Sequence, residues 1–265
     1  MLPQLFSFGP IHLYSYGLML ALAFYAGATW LWRDARARGW DENQVATLSL
    51  VMLVVSVVGA RALFVGTHWA DYASDPVEAL RIWRGGLTLY GGILLAIPTG
   101  IVYCLAVRLP LWQVADAFAA PLALGMALGR VGCFLNGCCY GLPTRLPWGV
   151  TFPPAAYSSM QFPGHHLHPS QLYVTVGELV LMGLLVALRT RLRPGQLWWL
   201  FVMLDSVIRF AVDYTRYYEP SAYVAPHFAL SQAMSTGLFA AGLVMYAVLG
   251  RSGSPARAPA EHASR

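Results

Sequence analysis

The sequence predicts an all-α, polytopic membrane bundle of about seven transmembrane helices, N-terminus outside and C-terminus in the cytoplasm. Three observations predict it. Hydrophobic residues make up 57% of the chain and charged residues only 11%, against roughly 25% charged in soluble domains. Mean hydropathy is +0.54. Apolar segments long enough to cross a ~30 Å hydrocarbon core recur along the chain. Arginine, the only strong cation present because lysine is absent, is distributed unevenly between the connecting loops.

Taken in order, the spans fall at about 14–32, 45–66, 88–107, 112–131, 172–188, 196–213 and 230–249. Pro98 and the Leu109-Pro110 turn blur the limits of the third and fourth. The N-terminus has neither a basic n-region nor a small-residue cleavage site, so the first span is expected to act as the membrane signal. Under this topology Arg33, Arg36, Arg38, Arg108, Arg189, Arg191, Arg193 and the tail arginines share one side. Only Arg81, Arg84, Arg145 and Arg216 face the other, and the positive-inside rule sets the orientation. The formal charge of +5 follows from that cytoplasmic surplus and requires no nucleic-acid partner. Residues 1–250 read as one membrane domain. From Arg251 onward a Ser, Ala, Pro and Arg-rich stretch reads as a disordered cytoplasmic tail. The loop over 132–171, rich in proline, glycine and aromatics, is long enough to be functional.

One stretch is chemically unusual: GRVGCFLNGCCYG, Gly129 to Gly141. It places Arg130 at the end of an apolar span, with Asn136 and three cysteines following on a glycine-rich turn. An arginine at membrane depth costs at least ~2.5–3.5 kcal/mol, so it faces a cavity, a partner or an anion. Other polar residues gather at the same ends of the predicted spans: Tyr16, Arg61, Tyr90, His168, Gln171, Tyr173, Arg209 and Asp213. Each has a plainer reading. Arg61 can snorkel, Arg209 and Asp213 can neutralise one another as an i,i+4 pair, and the tyrosines suit an interfacial belt. Cys133, Cys138 and Cys139 depart from the paired C-x2-C spacing of zinc sites. A disulfide, free thiols, and a metal site with nearby histidines all stay open, with no metal and no cofactor as the working expectation.

These motifs resemble the prolipoprotein diacylglyceryl transferase family. Its signature, Gly-Arg-x-Gly-Asn-Phe-x-Asn-x-Glu-x-x-Gly, is met by Gly129, Arg130, Gly132, Phe134, Asn136 and Gly141. Tyr16-Gly17-Leu18-Met19, Gly59 with Arg61, His168-Pro169-Ser170-Gln171-Leu172-Tyr173, and Arg209 with Asp213 and Arg216 resemble further family motifs in order. The resemblance implies transfer of sn-1,2-diacylglyceryl from phosphatidylglycerol to the lipobox cysteine of a preprolipoprotein, in the bacterial inner membrane, with glycerol 1-phosphate released. It implies Arg130, Arg209 and Tyr90 as catalytic residues. Tyr16, Arg61, Asn136, Gly141, His168, Gln171, Tyr173 and Asp213 would bind substrate. The chain departs from the pattern where Tyr90 stands for a histidine and where Cys133 and Cys138 stand for Asn and Glu. Those departures motivate an alternative, a non-transferase paralogue that binds lipid or acts through its thiols.

Overall fold

The computed structural model describes residues 4–8, 11–82, 85–154, 156–226 and 228–252. A short hairpin, β1 (Gln4–Phe8) and β2 (Ile11–Tyr14), precedes helix α1 (Ser15–Ala37). There follow α2 (Glu42–Thr67), the single turn α3 (Trp69–Tyr72), α4 (Leu89–Ala106) and α5 (Leu111–Asn136). After α5 come the short α6 (Tyr157–Gln161), α7 (Ser170–Leu188) and α8 (Gln196–Asp213). A second hairpin, β3 (Tyr223–Ala225) with β4 (Phe228–Ala229), leads into α9 (Leu230–Ser252).

The protein is an all-α, multi-pass membrane protein. Helices α2, α4, α5, α7 and α9 are long and apolar enough to cross a bilayer. Their outward side chains are aliphatic, as lipid contact requires: Leu94 and Val102 of α4, Val176 and Val180 of α7, and Val244 of α9 are all exposed. Helices also form at the other two predicted places, but their composition is less apolar. Asp205, Arg209 and Asp213 place three charges in α8, and Tyr, Trp, Thr and Gly dilute α1. Both internal prolines, Pro98 and Pro121, lie within helices α4 and α5. The expected break at Pro98 therefore does not end a segment, since neighbouring groups within membranes can satisfy the freed carbonyl. Beyond Ser252 the predicted tail lies outside the described residues.

Two compact units are present. In the unit of residues 31–114, α2 and α4 meet at Gly59, Gly91 and Gly92. A Cβ on Gly92 would stand 3.0 Å from the Ser56 carbonyl oxygen, and Gly59 and Gly91 are closer still, each against the other's backbone. Such small-residue seams let membrane helices approach where no hydrophobic effect drives association. Asp41 caps α2 by accepting from the Asn43 amide at 2.8 Å. Arg36 pairs with Glu42 and Arg38 with Asp34.

The unit of residues 1–30 and 115–265 holds the larger core. Ala119, Ala120 and Ala123 of α5 pack on Leu181 and Leu185 of α7 and on Leu197 and Phe201 of α8. Asp116 on α5 fastens the start of α8, accepting from the Gly195 amide at 2.7 Å and the Trp198 amide at 2.9 Å. An acceptor at a helix N-terminus both satisfies orphan amides and complements the dipole. A second cluster folds the loop after α5: Tyr140, Phe152, Ala156 and Leu167 are buried together. Tyr140 stacks on Tyr217 with ring centroids 5.7 Å apart, and Phe162 meets Tyr217 edge-on.

Candidate functional site

The site is built where α5 ends. The helix runs through Gly129-Arg130 and on to Asn136, so Cys133 and Asn136 are helical rather than on a turn as expected from the glycines. Termination is a Schellman closure. Gly137 takes φ +76°, its amide donates to the Phe134 carbonyl at 3.2 Å, and the Cys138 amide donates to the Cys133 carbonyl at 3.1 Å. Cys139 follows at φ +59°, a left-handed conformation unusual for a non-glycine residue. Gln171, fully buried on α7, holds the turn from across by donating its Nε2 to the Cys138 carbonyl at 2.7 Å. Gly141 lies flat against His168 and Ser170, where a Cβ would stand 2.5 Å from the His168 carbonyl oxygen and 2.6 Å from Ser170 Oγ.

This construction opens a pocket lined by Arg130, Cys139, Ser170, Gln171, Val174, Arg209, Val212, Asp213 and Arg216. Three guanidinium groups therefore meet in one cavity. Among the described residues none of the three forms an ion pair. The i,i+4 neutralisation of Arg209 by Asp213 does not occur. Instead Asp213 Oδ1 accepts from Tyr218 OH at 2.8 Å, and that hydroxyl accepts from Ser231 Oγ at 3.0 Å. Arg216 stands over the Tyr218 ring at 4.7 Å, with its Nε buried and unpartnered. Burial works against the Arg216 charge, but Cys139, Tyr218 and Asp213 outweigh it, so its pKa lies above the ordinary value. The thiols of Cys133 and Cys138, and then Arg216 and Arg130, hold Cys139 well below the usual thiol range.

A cavity in which three guanidiniums outnumber the acidic groups lining it is costly unless an anion fills it. Planar guanidiniums from two helices and a loop suit the several oxygens of a phosphate.

Of the sequence-predicted site residues, Arg130, Gln171, Arg209 and Asp213 come together in the pocket. Tyr16 lies beside the motif helix: a Cβ on Gly132 would meet its Cδ2 at 3.1 Å. Asn136 closes α5, and Gly141 and His168 form the adjoining backbone pair. His168 Nδ1 lies 3.2 Å from the Tyr173 hydroxyl, which accepts from Trp148 Nε1 at 2.8 Å. Burial lowers the His168 pKa, which keeps the imidazole neutral near pH 7. Tyr90 stands at the start of α4 in the other unit, half exposed. Arg61, in that same unit, is buried and engaged by main chain. Its Nε donates to the Ala79 carbonyl at 2.8 Å, Nη1 to Gly85 and Gly86 at 2.7 and 3.0 Å, and Nη2 to Glu78 at 2.8 Å. These contacts make it a clamp on the main chain at Glu78–Ala79 and Gly85–Gly86.

Sequence reasoning left out Cys139 and Arg216 as pocket-lining groups. The Arg209-x6-Arg216 spacing, two turns of helix, was the available signal for Arg216. It also missed a carboxyl pair one turn deeper, where Glu178 of α7 faces Asp205 of α8. Glu178 is fully buried.

Fold and site together define a polytopic membrane protein with an arginine-rich pocket. More specifically, the chain belongs to the prolipoprotein diacylglyceryl transferase family, whose sequence profile matches residues 3–248. It is similar to the phosphatidylglycerol–prolipoprotein diacylglyceryl transferase of Parasynechococcus marenigrum (strain WH8102), 36% identical over 190 residues, 70% of this chain and 67% of the relative. The enzyme of that name from Synechococcus elongatus is 36% identical over 188 residues, 69% of this chain and 64% of the relative. That from Finegoldia magna is 31% identical over 242 residues, covering 91% of this chain and 92% of the relative. The chain thus spans about two thirds of the length of the first two of these relatives.

Proposed function

We propose that this protein transfers the sn-1,2-diacylglyceryl group of phosphatidylglycerol to the lipobox cysteine of a preprolipoprotein. The observation that carries the reading is the pocket in which Arg130, Arg209 and Arg216 meet and, among the described residues, form no ion pair. A phosphodiester brings the missing negative charge, and keeps it through the reaction as glycerol 1-phosphate departs. In this reading Arg130 and Arg209 hold the phosphate oxygens and Arg216 adds a third donor. The cysteine thiolate forms a sulfur–carbon bond to the glyceryl carbon, and the carbon–oxygen bond to phosphate breaks with its electron pair. Gln171 keeps the Cys138–Cys139 turn in place, and the Tyr218–Asp213 hydrogen bond orients the end of α8. Tyr16, Asn136, Gly141, His168 and Tyr173 shape the surroundings.

The reading includes seven spans in the bacterial inner membrane, N-terminus outside, and residues 1–250 as the working domain. Family membership and the names of the relatives support the transferase chemistry. The direct test is transfer of labelled diacylglyceryl from phosphatidylglycerol micelles to a lipobox peptide by the purified protein. Labelled peptide with release of glycerol 1-phosphate is expected. A folded, membrane-inserted protein that neither transfers the label nor complements a strain depleted of its own transferase would overturn the reading.

A further inference from the structure

The three cysteines of the motif converge in the fold. Although Cys133 lies on α5 and Cys138 and Cys139 beyond its end, their sulfur atoms all lie within 4.8 Å of one another. The Schellman closure is the cause. Cys133 and Cys138 occupy the two positions whose side chains this motif apposes, so a C-x4-C spacing does what C-x2-C does in a zinc knuckle. The left-handed backbone at Cys139 then turns the third sulfur back toward the other two. Cys133 is buried and the other two are half-buried, and none is in a disulfide. Around a tetrahedral zinc with bonds of ~2.3 Å, sulfurs lie about 3.8 Å apart, so closing the group needs side-chain shifts of ~1 Å or less.

We infer that Cys133, Cys138 and Cys139 form a three-thiolate zinc site whose fourth position opens to the arginine pocket and takes the thiol of the incoming lipobox cysteine. Among the described residues no histidine, carboxylate or further cysteine joins the three sulfurs. Three protein ligands with one place left for substrate is the pattern of catalytic rather than structural zinc. Cys139 itself lines the pocket with Arg130 and Arg216, so one edge of the sulfur group borders the arginine pocket. Three thiolates and one Zn²⁺ carry a net charge of −1, which the adjacent guanidiniums offset. The soft donor set favours zinc or copper(I) over magnesium or calcium.

The thiol-activating role rests on the transferase reading, while the metal site itself does not. Binding to zinc deprotonates a thiol outright, and the proton leaves to solvent. The zinc-held sulfur attacks the glyceryl carbon next to the phosphate ester oxygen. A sulfur–carbon bond forms, the carbon–oxygen bond breaks, and glycerol 1-phosphate leaves with the electron pair. The thioether, a neutral and weaker ligand, then dissociates.

The test uses the full-length protein in detergent, reduced, stripped of metal and titrated with Zn²⁺ or Co²⁺. One equivalent per chain should bind, with the thiolate-to-cobalt charge-transfer and tetrahedral d–d bands that Co²⁺ shows on sulfur. Cys133→Ser, Cys138→Ser and Cys139→Ser should each weaken Co²⁺ binding by about tenfold or more, and Cys104→Ser, remote in sequence and a buried apolar filler, should not. A lipobox peptide should add thiolate intensity to the cobalt spectrum, and its Cys→Ser counterpart should leave the spectrum unchanged. The inference is overturned if the reduced wild-type protein shows no thiolate–cobalt band, if it retains copper alone, or if the spectrum ignores the peptide thiol. Metal-free protein as active as the zinc form would overturn the activating role and leave the transferase reading standing. A protein inactive in both forms but with the peptide-sensitive spectrum would overturn the transferase reading and uphold the site.

Discussion

Replacing Arg209 tests the pocket most directly. Arg209 reaches the cavity from α8 and has no carboxylate partner among the described residues, so its donors are available to an anion. A charge-assisted hydrogen bond contributes about 1.5–3 kcal/mol, and a guanidinium meets a phosphate with two. Arg209→Ala therefore removes roughly 3–5 kcal/mol of transition-state stabilisation, or about 10²–10⁴-fold in kcat/KM at ~1.4 kcal/mol per decade. Arg209→Lys keeps the charge and loses the fork, so about one bond and roughly 10- to 100-fold should be lost. The assay is label transfer from phosphatidylglycerol to a lipobox peptide, with thermal unfolding in detergent as the folding control. Arg130→Ala should behave like Arg209→Ala, because both face the same anion. An Arg209→Ala protein that stays folded and keeps activity within about fivefold of wild type would refute the phosphate role.

Three further outcomes follow from the structure. Arg61→Ala removes four contacts to main-chain carbonyls, so the chain at Glu78–Ala79 and Gly85–Gly86 should become susceptible to limited proteolysis; an unchanged cleavage pattern would remove the clamp role. Asp116→Ala strips the acceptor from the Gly195 and Trp198 amides and should cost about 1.5–3 kcal/mol, read as a lower unfolding midpoint. Gly137→Ala forces a Cβ into a left-handed residue, 3.0 Å from the Ala156 Cβ, and should cost about 1–2 kcal/mol by the same measurement.

The sequence determined the helices and the membrane environment, because hydrophobic length and charge content are local properties of the chain. It also determined the chemistry of the motif. An arginine at the end of an apolar run must meet a cavity, a partner or an anion. What a residue's donors meet is a different matter, since it depends on groups far away in sequence. Arg61 and Arg130 look alike in the sequence, each a cation late in an apolar segment. Only the fold separates them: carbonyls 17 to 25 residues further along the chain engage Arg61. Arg130 instead faces Arg209 and Arg216 across a cavity. The cysteines follow the same logic. Their spacing matched no metal pattern, yet ending α5 at Gly137 folds Cys138 back over Cys133 and brings three sulfurs into one group. Composition fixed which groups are present, and tertiary structure decided which of them are left without a partner.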